Sequence, residues 1–231
     1  SLRHLPWELL FADGAYLCFN AVRPFTPARL VEGKSRAAQT HNRPLRLLFM
    51  ACSAEDVLPL LDFESEESLI LDAAQQHQIE MFVEESGSLG GLNYQTTAFG
   101  DEHFDVFHLT GHADVRGNEP IFLMENDQGF RQEVTAADIS DAFAGNWPQL
   151  IFLSGCKTGQ AADQGNLPSL CEALVRAGAP AVLGWALPVG DIAASRAAAE
   201  LYEHLAAGKC LDEAIARARF HLLKYGSPFW H

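Results

Sequence analysis

The strongest constraint on this chain is a rhythm of short apolar runs. Leu45–Ala51, Ile79–Val83, Asp105–Thr110, Gln149–Leu153 and Ala181–Trp185, none longer than seven residues, recur between stretches with helical spacing. A run that is apolar at successive positions has no solvent face, so it reads as a strand buried on both sides. Such strands belong to parallel sheets covered by helices. Helices are expected over Glu64–His77, Gly91–Phe99, Thr135–Phe143, Pro168–Ala177, Asp191–Ala206 and Leu211–Lys224, the last stopped by Gly226. Thr135 and Asp138 have capping-box spacing, with Asp in the usual Glu place. Pro120–Met124 reads as a short strand in a hairpin near Asn126–Gly129. The pattern predicts a three-layer α/β domain, with a mainly parallel sheet flanked by helices. In such folds ligands gather beyond the carboxyl ends of the strands.

Ahead of this core, apolar runs Trp7–Ala12 and Tyr16–Val22 surround Asp13-Gly14, which predicts an N-terminal β-hairpin. Residues 23–44 are polar, carry three prolines and read as a connecting loop. The expected organisation is one domain over 1–231, with hairpin and loop in 1–44 and the core in 45–231. A start without Met and an abrupt stop at Phe229-Trp230-His231 are expected of a domain cut from a longer polypeptide.

Composition narrows the function classes. With 30 acidic and 16 basic side chains the formal charge is −14, which argues against direct nucleic-acid or anionic-membrane binding. No apolar stretch reaches the length of about 20 residues that a spanning helix needs, and no signal peptide is visible. The five cysteines include no CxxC pair, as expected of free thiols in a reducing, cytoplasmic setting.

Two strand ends carry reactive side chains. Gly111-His112-Ala113-Asp114 follows one, and Ser154-Gly155-Cys156-Lys157-Thr158-Gly159 follows another. Taken alone, a Cys there is usually a small buried hydrophobe and a His a structural residue. Together, on neighbouring parallel strands, His112 and Cys156 would face each other over the sheet edge. An imidazole can take the proton of a thiol, and acyl transfer also needs amide donors for the oxyanion. The backbone N–H groups of Ala113 and Cys156 are the expected donors. A metal set of His103, His108 and His112 lacks a further ligand at a tight interval. Gly87–Gly91 and Gly33-Lys34-Ser35 lack the context of a phosphate loop. No metal and no cofactor are expected.

His108-Leu-Thr-Gly-His112-Ala, followed by Leu153-Ser-Gly-Cys156-Lys-Thr-Gly159, resembles the CHAT family of caspase-like proteins (caspase HetF associated with TPRs). That family shows H-x-x-x-H-G at one strand end and A-C-x-T-G at a later one. Leu5–Leu10, Ala177–Val182 with Trp185–Asp191, and Pro228-Phe-Trp230 resemble further family segments in the same order. Ala113 stands where the family usually has Gly, Gly155 where it often has Ala, and Lys157 where Glu is frequent.

The resemblance implies a caspase-like fold and a cysteine endopeptidase, with Cys156 as nucleophile and His112 as general base and acid. It implies a substrate pocket among the strand ends, with Cys52, Ser53, Ser154 and Trp185 as wall positions. His108, within its strand, is expected in the core, and Cys18, Cys52, Cys171 and Cys210 are read as structural. The implied partners are a protein substrate and a regulatory TPR region in the same polypeptide. An RNA-guided CRISPR-associated effector and another bacterial defence system both remain open. Loops 23–44 and 158–166 are the segments expected to switch. The rival readings are a silent scaffold for protein–protein interaction and a flavodoxin-like small-molecule binder.

Overall fold

The computed structural model describes residues 7–19, 25–32, 40–155, 169–185 and 190–226, with Asp191 described by its backbone alone. In chain order the elements are β1 (Phe11–Ala12), β2 (Ala15–Tyr16), β3 (Leu45–Ala51), α1 (Phe63–Gln76), β4 (Ile79–Glu84), α2 (Leu89–Phe99), β5 (Val106–Thr110), β6 (His112–Arg116), β7 (Glu119–Glu125), β8 (Arg131–Thr135), α3 (Ala136–Phe143), β9 (Leu150–Ser154), α4 (Leu170–Ala177), β10 (Val182–Gly184), α5 (Asp191–Ala206) and α6 (Leu211–Lys224). The chain divides into two compact units. One comprises Ser1–Leu30, Glu64–Ile79 and Val189–His231, the other Val31–Phe63 and Glu80–Pro188.

In the first unit β1 and β2 pair antiparallel about Asp13-Gly14, which take φ of 53° and 80°. Positive φ at both central residues is what a type I′ turn requires. The hairpin is shorter than expected, because Trp7–Leu9 and Leu17–Phe19 form 3₁₀ turns rather than strand extensions. The rest of the second expected run, from Asn20, lies outside the described residues. Buried Glu8 accepts from Arg29 at 3.1 Å and lies 3.7 Å from Arg219 of α6, which supplies the partners a buried charge needs.

The second unit is built on the expected parallel sheet, in the order β10-β9-β5-β3-β4. Leu47 to Ala51 of β3 run beside Val106 to Thr110 of β5, which in turn face Leu150 to Ser154 of β9. Period-2 alternation divides their side chains between two faces. Leu48, Met50, Phe107, Leu109, Ile151 and Leu153 pack with Leu92 of α2, Ile139 and Phe143 of α3, and Leu170 and Leu174 of α4. Leu47, Phe49, His108 and Phe152, on the alternate positions, are buried as well. Each of these Leu, Ile, Met and Phe side chains contributes about 1.5–3 kcal/mol when removed from water.

Register is set at the amino end of the sheet by Asp105. Its carboxylate accepts from Arg43 Nη1 at 2.5 Å and from the Arg46 amide at 2.9 Å. Its main chain accepts from Gln149 and Leu150 and donates to Arg46 O. One residue thus ties the starts of β3, β5 and β9.

Two local readings hold at atomic detail. Thr135 caps α3 reciprocally with Asp138: the Asp138 amide donates to Thr135 Oγ1 at 3.3 Å, while Asp138 Oδ2 accepts from the Thr135 amide at 2.8 Å. The Gly87–Gly91 turn is filled from within. The Glu84 carboxylate accepts from the amides of Ser86 at 3.1 Å and Gly87 at 3.0 Å, and Ser88 caps α2 by accepting from Gly91 at 3.0 Å. An internal carboxylate occupies the donors a phosphate would use.

The stretch after β5, for which no strand was expected, forms one: His112 opens β6, which pairs antiparallel with β7, and β7 with β8, in a separate three-stranded sheet. The last three residues of β6 and the first three of β8 are exposed, so neither strand shows a buried-strand signature.

Candidate active site

The carboxyl edge of the sheet is where the two motifs converge. β5 and β9 are parallel neighbours with Thr110 opposite Ser154, and Thr110 Oγ1 donates to Ser154 O at 3.3 Å. His112 stands two residues beyond Thr110. Cys156 stands two residues beyond Ser154 in the sequence and lies outside the described residues, as does loop 158–166. Between β5 and β6 the chain passes through Gly111 at φ 158°, where a Cβ would sit 2.7 Å from Phe122 Cε1 and 3.2 Å from Cys52 Cβ. The glycine admits the Phe122 ring, which is buried in the core, and so brings β6 close under the sheet edge.

His112 is half-buried, and its Nε2 lies 2.8 Å from the carbonyl oxygen of Pro59. A carbonyl only accepts, so this nitrogen carries a hydrogen, and in the neutral ring Nδ1 is the atom with the free lone pair. The segment that brings Pro59 there is strapped to the β7–β8 hairpin. The Ser53 amide donates to Glu125 Oε1 at 2.7 Å and the Glu55 amide to Gly129 O at 3.0 Å. The Arg131 amide donates to Asp56 Oδ1 at 2.7 Å, with an Arg131–Asp56 ion pair at 3.3 Å. Since β7 also pairs with β6 at His112–Leu123, one hairpin holds both the ring and its acceptor.

His112 shares the wall of a cavity with Cys52, Ser53, Val57, Pro59, Leu60, Leu61 and Leu123. Cys52 is therefore beside a histidine, which its sequence surroundings gave no reason to expect. Its Sγ donates to Gly87 O at 3.3 Å. Burial first, then the Glu125 and Glu84 carboxylates, push its thiol well above the ordinary value. A thiol so held stays protonated and is a poor nucleophile, in keeping with a structural role.

The expected site residues are distributed as follows. Ser53 lines the cavity with His112. Ala113 pairs with Phe122 in β6 and packs on the core. Ser154 is buried at the end of β9, and Trp185 follows β10 with its ring 6.1 Å from Phe152. His108 is fully buried between Phe49 and Phe152, 5.1 Å from each ring, so it belongs to the core. Among the described residues no group of three or more His, Cys, Asp or Glu could hold a metal ion. No helix among them is long and apolar enough to cross a membrane. Sequence reasoning missed Pro59 and Glu125. The hint of the first in the sequence was a proline inside the apolar stretch 57–61.

The family model described as CHAT domain matches residues 1–228. No curated protein matches the chain. Among solved structures the chain is similar to the crystal structure of the Drosophila initiator caspase Dronc, at 8% identity over 84% of this chain and 85% of that one, with a TM-score of 0.45.

Proposed function

The chain belongs to the CHAT family, and from that premise we propose that it is a cysteine endopeptidase whose dyad is His112 and Cys156. The observation that carries this reading is the β5–β9 register. Thr110 and Ser154 are paired, and each reactive residue stands two positions further along its own chain segment. Neighbouring strands lie about 4.8 Å apart, so two short extensions from paired residues suffice to bring a thiol and an imidazole within reach. The Pro59 carbonyl adds a second support, because it leaves Nδ1 of His112 as the base.

In this reading Nδ1 takes the Cys156 proton and the sulfur attacks the scissile carbonyl. The oxyanion is held by the amides of Ala113 and Cys156. His112 then protonates the leaving amine as the C–N bond breaks, and a water deprotonated by His112 releases the acyl group from sulfur. Ser53, Ser154 and Trp185 are the proposed pocket positions. The substrate is a specific protein partner, and activity is governed by flanking regions or an effector of a bacterial defence or signalling system.

The test is cleavage of co-expressed proteins from the genomic neighbourhood, with wild type beside Cys156→Ala and His112→Ala. Loss of cleavage in both variants is the expected result. Equal cleavage by all three removes this dyad from the reaction. No cleavage by a folded, effector-supplied protein favours a scaffold.

A further inference from the structure

We propose that the exposed α5–α6 face around Tyr225 docks an acidic, amphipathic peptide segment of a partner protein. The proposal does not depend on the dyad and concerns only the compact unit that holds both helices. The chain has a net charge of −14, and most of its described Lys and Arg side chains are paired with a carboxylate. Arg196 of α5 and Lys224 of α6 have no such partner among the described side chains, yet both lie against one ring. Arg196 Cζ and Lys224 Nζ are each 5.9 Å from the centroid of Tyr225. All three residues are exposed, Tyr225 to 60%.

The surrounding residues account for the unmet charge. On a helix a cation finds its carboxylate three or four positions away. For Arg196 that residue is Glu200, which histidines take instead: His221 Nδ1 lies 2.5 Å from Oε1 and His204 Nε2 3.7 Å from Oε2. Lys224 has Phe220 and His221 at those spacings. Lower on α6, Glu213 meets Arg217 at 2.7 Å and Lys209 at 3.3 Å. The positive charge left over is therefore confined to the two residues beside Tyr225, which repel each other until an anion joins them. Apolar surface continues the patch. Ile192, one turn before Arg196, is 68% exposed, and Phe220, one turn before Lys224, is 52% exposed. Two cations are too few for a phosphate polymer, whose binding is built on many neutralised charges. An exposed Tyr with Arg and large apolar neighbours is instead the composition of a protein-binding surface, and the charge selects Asp and Glu from the partner.

The experiment pans a phage-displayed library of random peptides on the immobilised chain, then measures the enriched peptides by fluorescence anisotropy. Sequences combining Asp or Glu with Leu, Ile, Phe or Trp should be enriched. Arg196→Gln combined with Lys224→Gln should weaken their binding about tenfold, while Arg217→Gln, whose charge Glu213 already meets, should change it less than about twofold. All three positions are exposed, so the replacements leave the fold intact. Enrichment of basic or uncharged peptides overturns the proposal, as do equal losses in the two variants or no loss in either. Sedimentation of the free chain tests a second copy as the occupant: a dimer that the double variant dissociates also overturns it. Binding of a labelled poly-dT strand that the double variant abolishes does the same, by making a nucleic acid the occupant.

Discussion

Replacing Glu125 by Ala removes the acceptor that starts the strap from Ser53 to Pro59. The bond lost is charge-assisted, at 2.7 Å from a half-buried amide, and nothing else in the hairpin tip replaces it for Ser53. A hydrogen bond to an ionised group contributes about 1.5–3 kcal/mol, so the folding equilibrium constant should fall roughly 10- to 150-fold. Glu125→Gln keeps an oxygen acceptor but not the charge, and should cost about half as much. Chemical denaturation followed by tryptophan fluorescence measures both, with the midpoint moving at constant slope. A second readout is specific to the strap. ¹⁵N spectra of the His112 ring should show Nε2–H exchanging faster with water in Glu125→Ala than in Glu125→Gln, because the Pro59 carbonyl loses its anchor two peptide turns upstream. An unchanged midpoint in Glu125→Ala, or ring spectra identical in all three proteins, would refute the reasoning that this carboxylate fixes the strap.

Gly111→Ala should destabilise the fold by about 1–3 kcal/mol, since the new methyl meets the Phe122 ring at 2.7 Å inside a filled core; a variant as stable as wild type refutes the close approach. Thr135→Ala should cost about 1 kcal/mol through the lost α3 cap, read from the thermal midpoint. The Thr135 hydroxyl and amide hold the Asp138 carboxyl below its usual range. A depressed carboxyl stabilises the fold above its unfolded value of about 3.9, and the gain vanishes as pH falls through the folded value. Stability measured between pH 5 and 2 should therefore fall less steeply in Asp138→Asn. Native Cys52 should resist iodoacetamide at pH 8 while exposed Cys210 reacts, as peptide mass spectrometry would show; comparable rates would contradict the buried, protonated thiol.

The parallel sheet was legible because β3, β5 and β9 are apolar at nearly every position, a signature that double-sided burial produces and little else imitates. α3 was legible because a capping box is a local arrangement of two side chains, and Asp138 reaches back as Glu would. β6 and β8 were not. Each is five residues long and mostly exposed, so packing demanded no apolar pattern, although Gly117-Asn118 between Arg116 and Glu119 was a usable hairpin signal. His112 was legible from its place after β5, whereas its acceptor was not, since a main-chain carbonyl leaves no trace in side-chain identity. Nor was the nearness of Cys52 to His112. It follows from β3 lying beside β5, with the Cys52 amide donating to Thr110 O, and adjacency across a sheet is a property of topology rather than of either motif.

A backbone carbonyl as the partner of the imidazole has a mechanical consequence. Nε2 bears a hydrogen in the neutral tautomer selected here and in the imidazolium, so the bond to Pro59 O survives both protonation states. The ring need not turn between taking the thiol proton and giving one to the leaving amine. Its aim depends instead on where residues 53–59 are held, and those are tied to the β7–β8 hairpin through Glu125, Gly129 and Arg131. Val57, Pro59, Leu60 and Leu61 of the same segment also line the cavity beside the ring. Whatever displaces that segment therefore displaces the aim of the base with it.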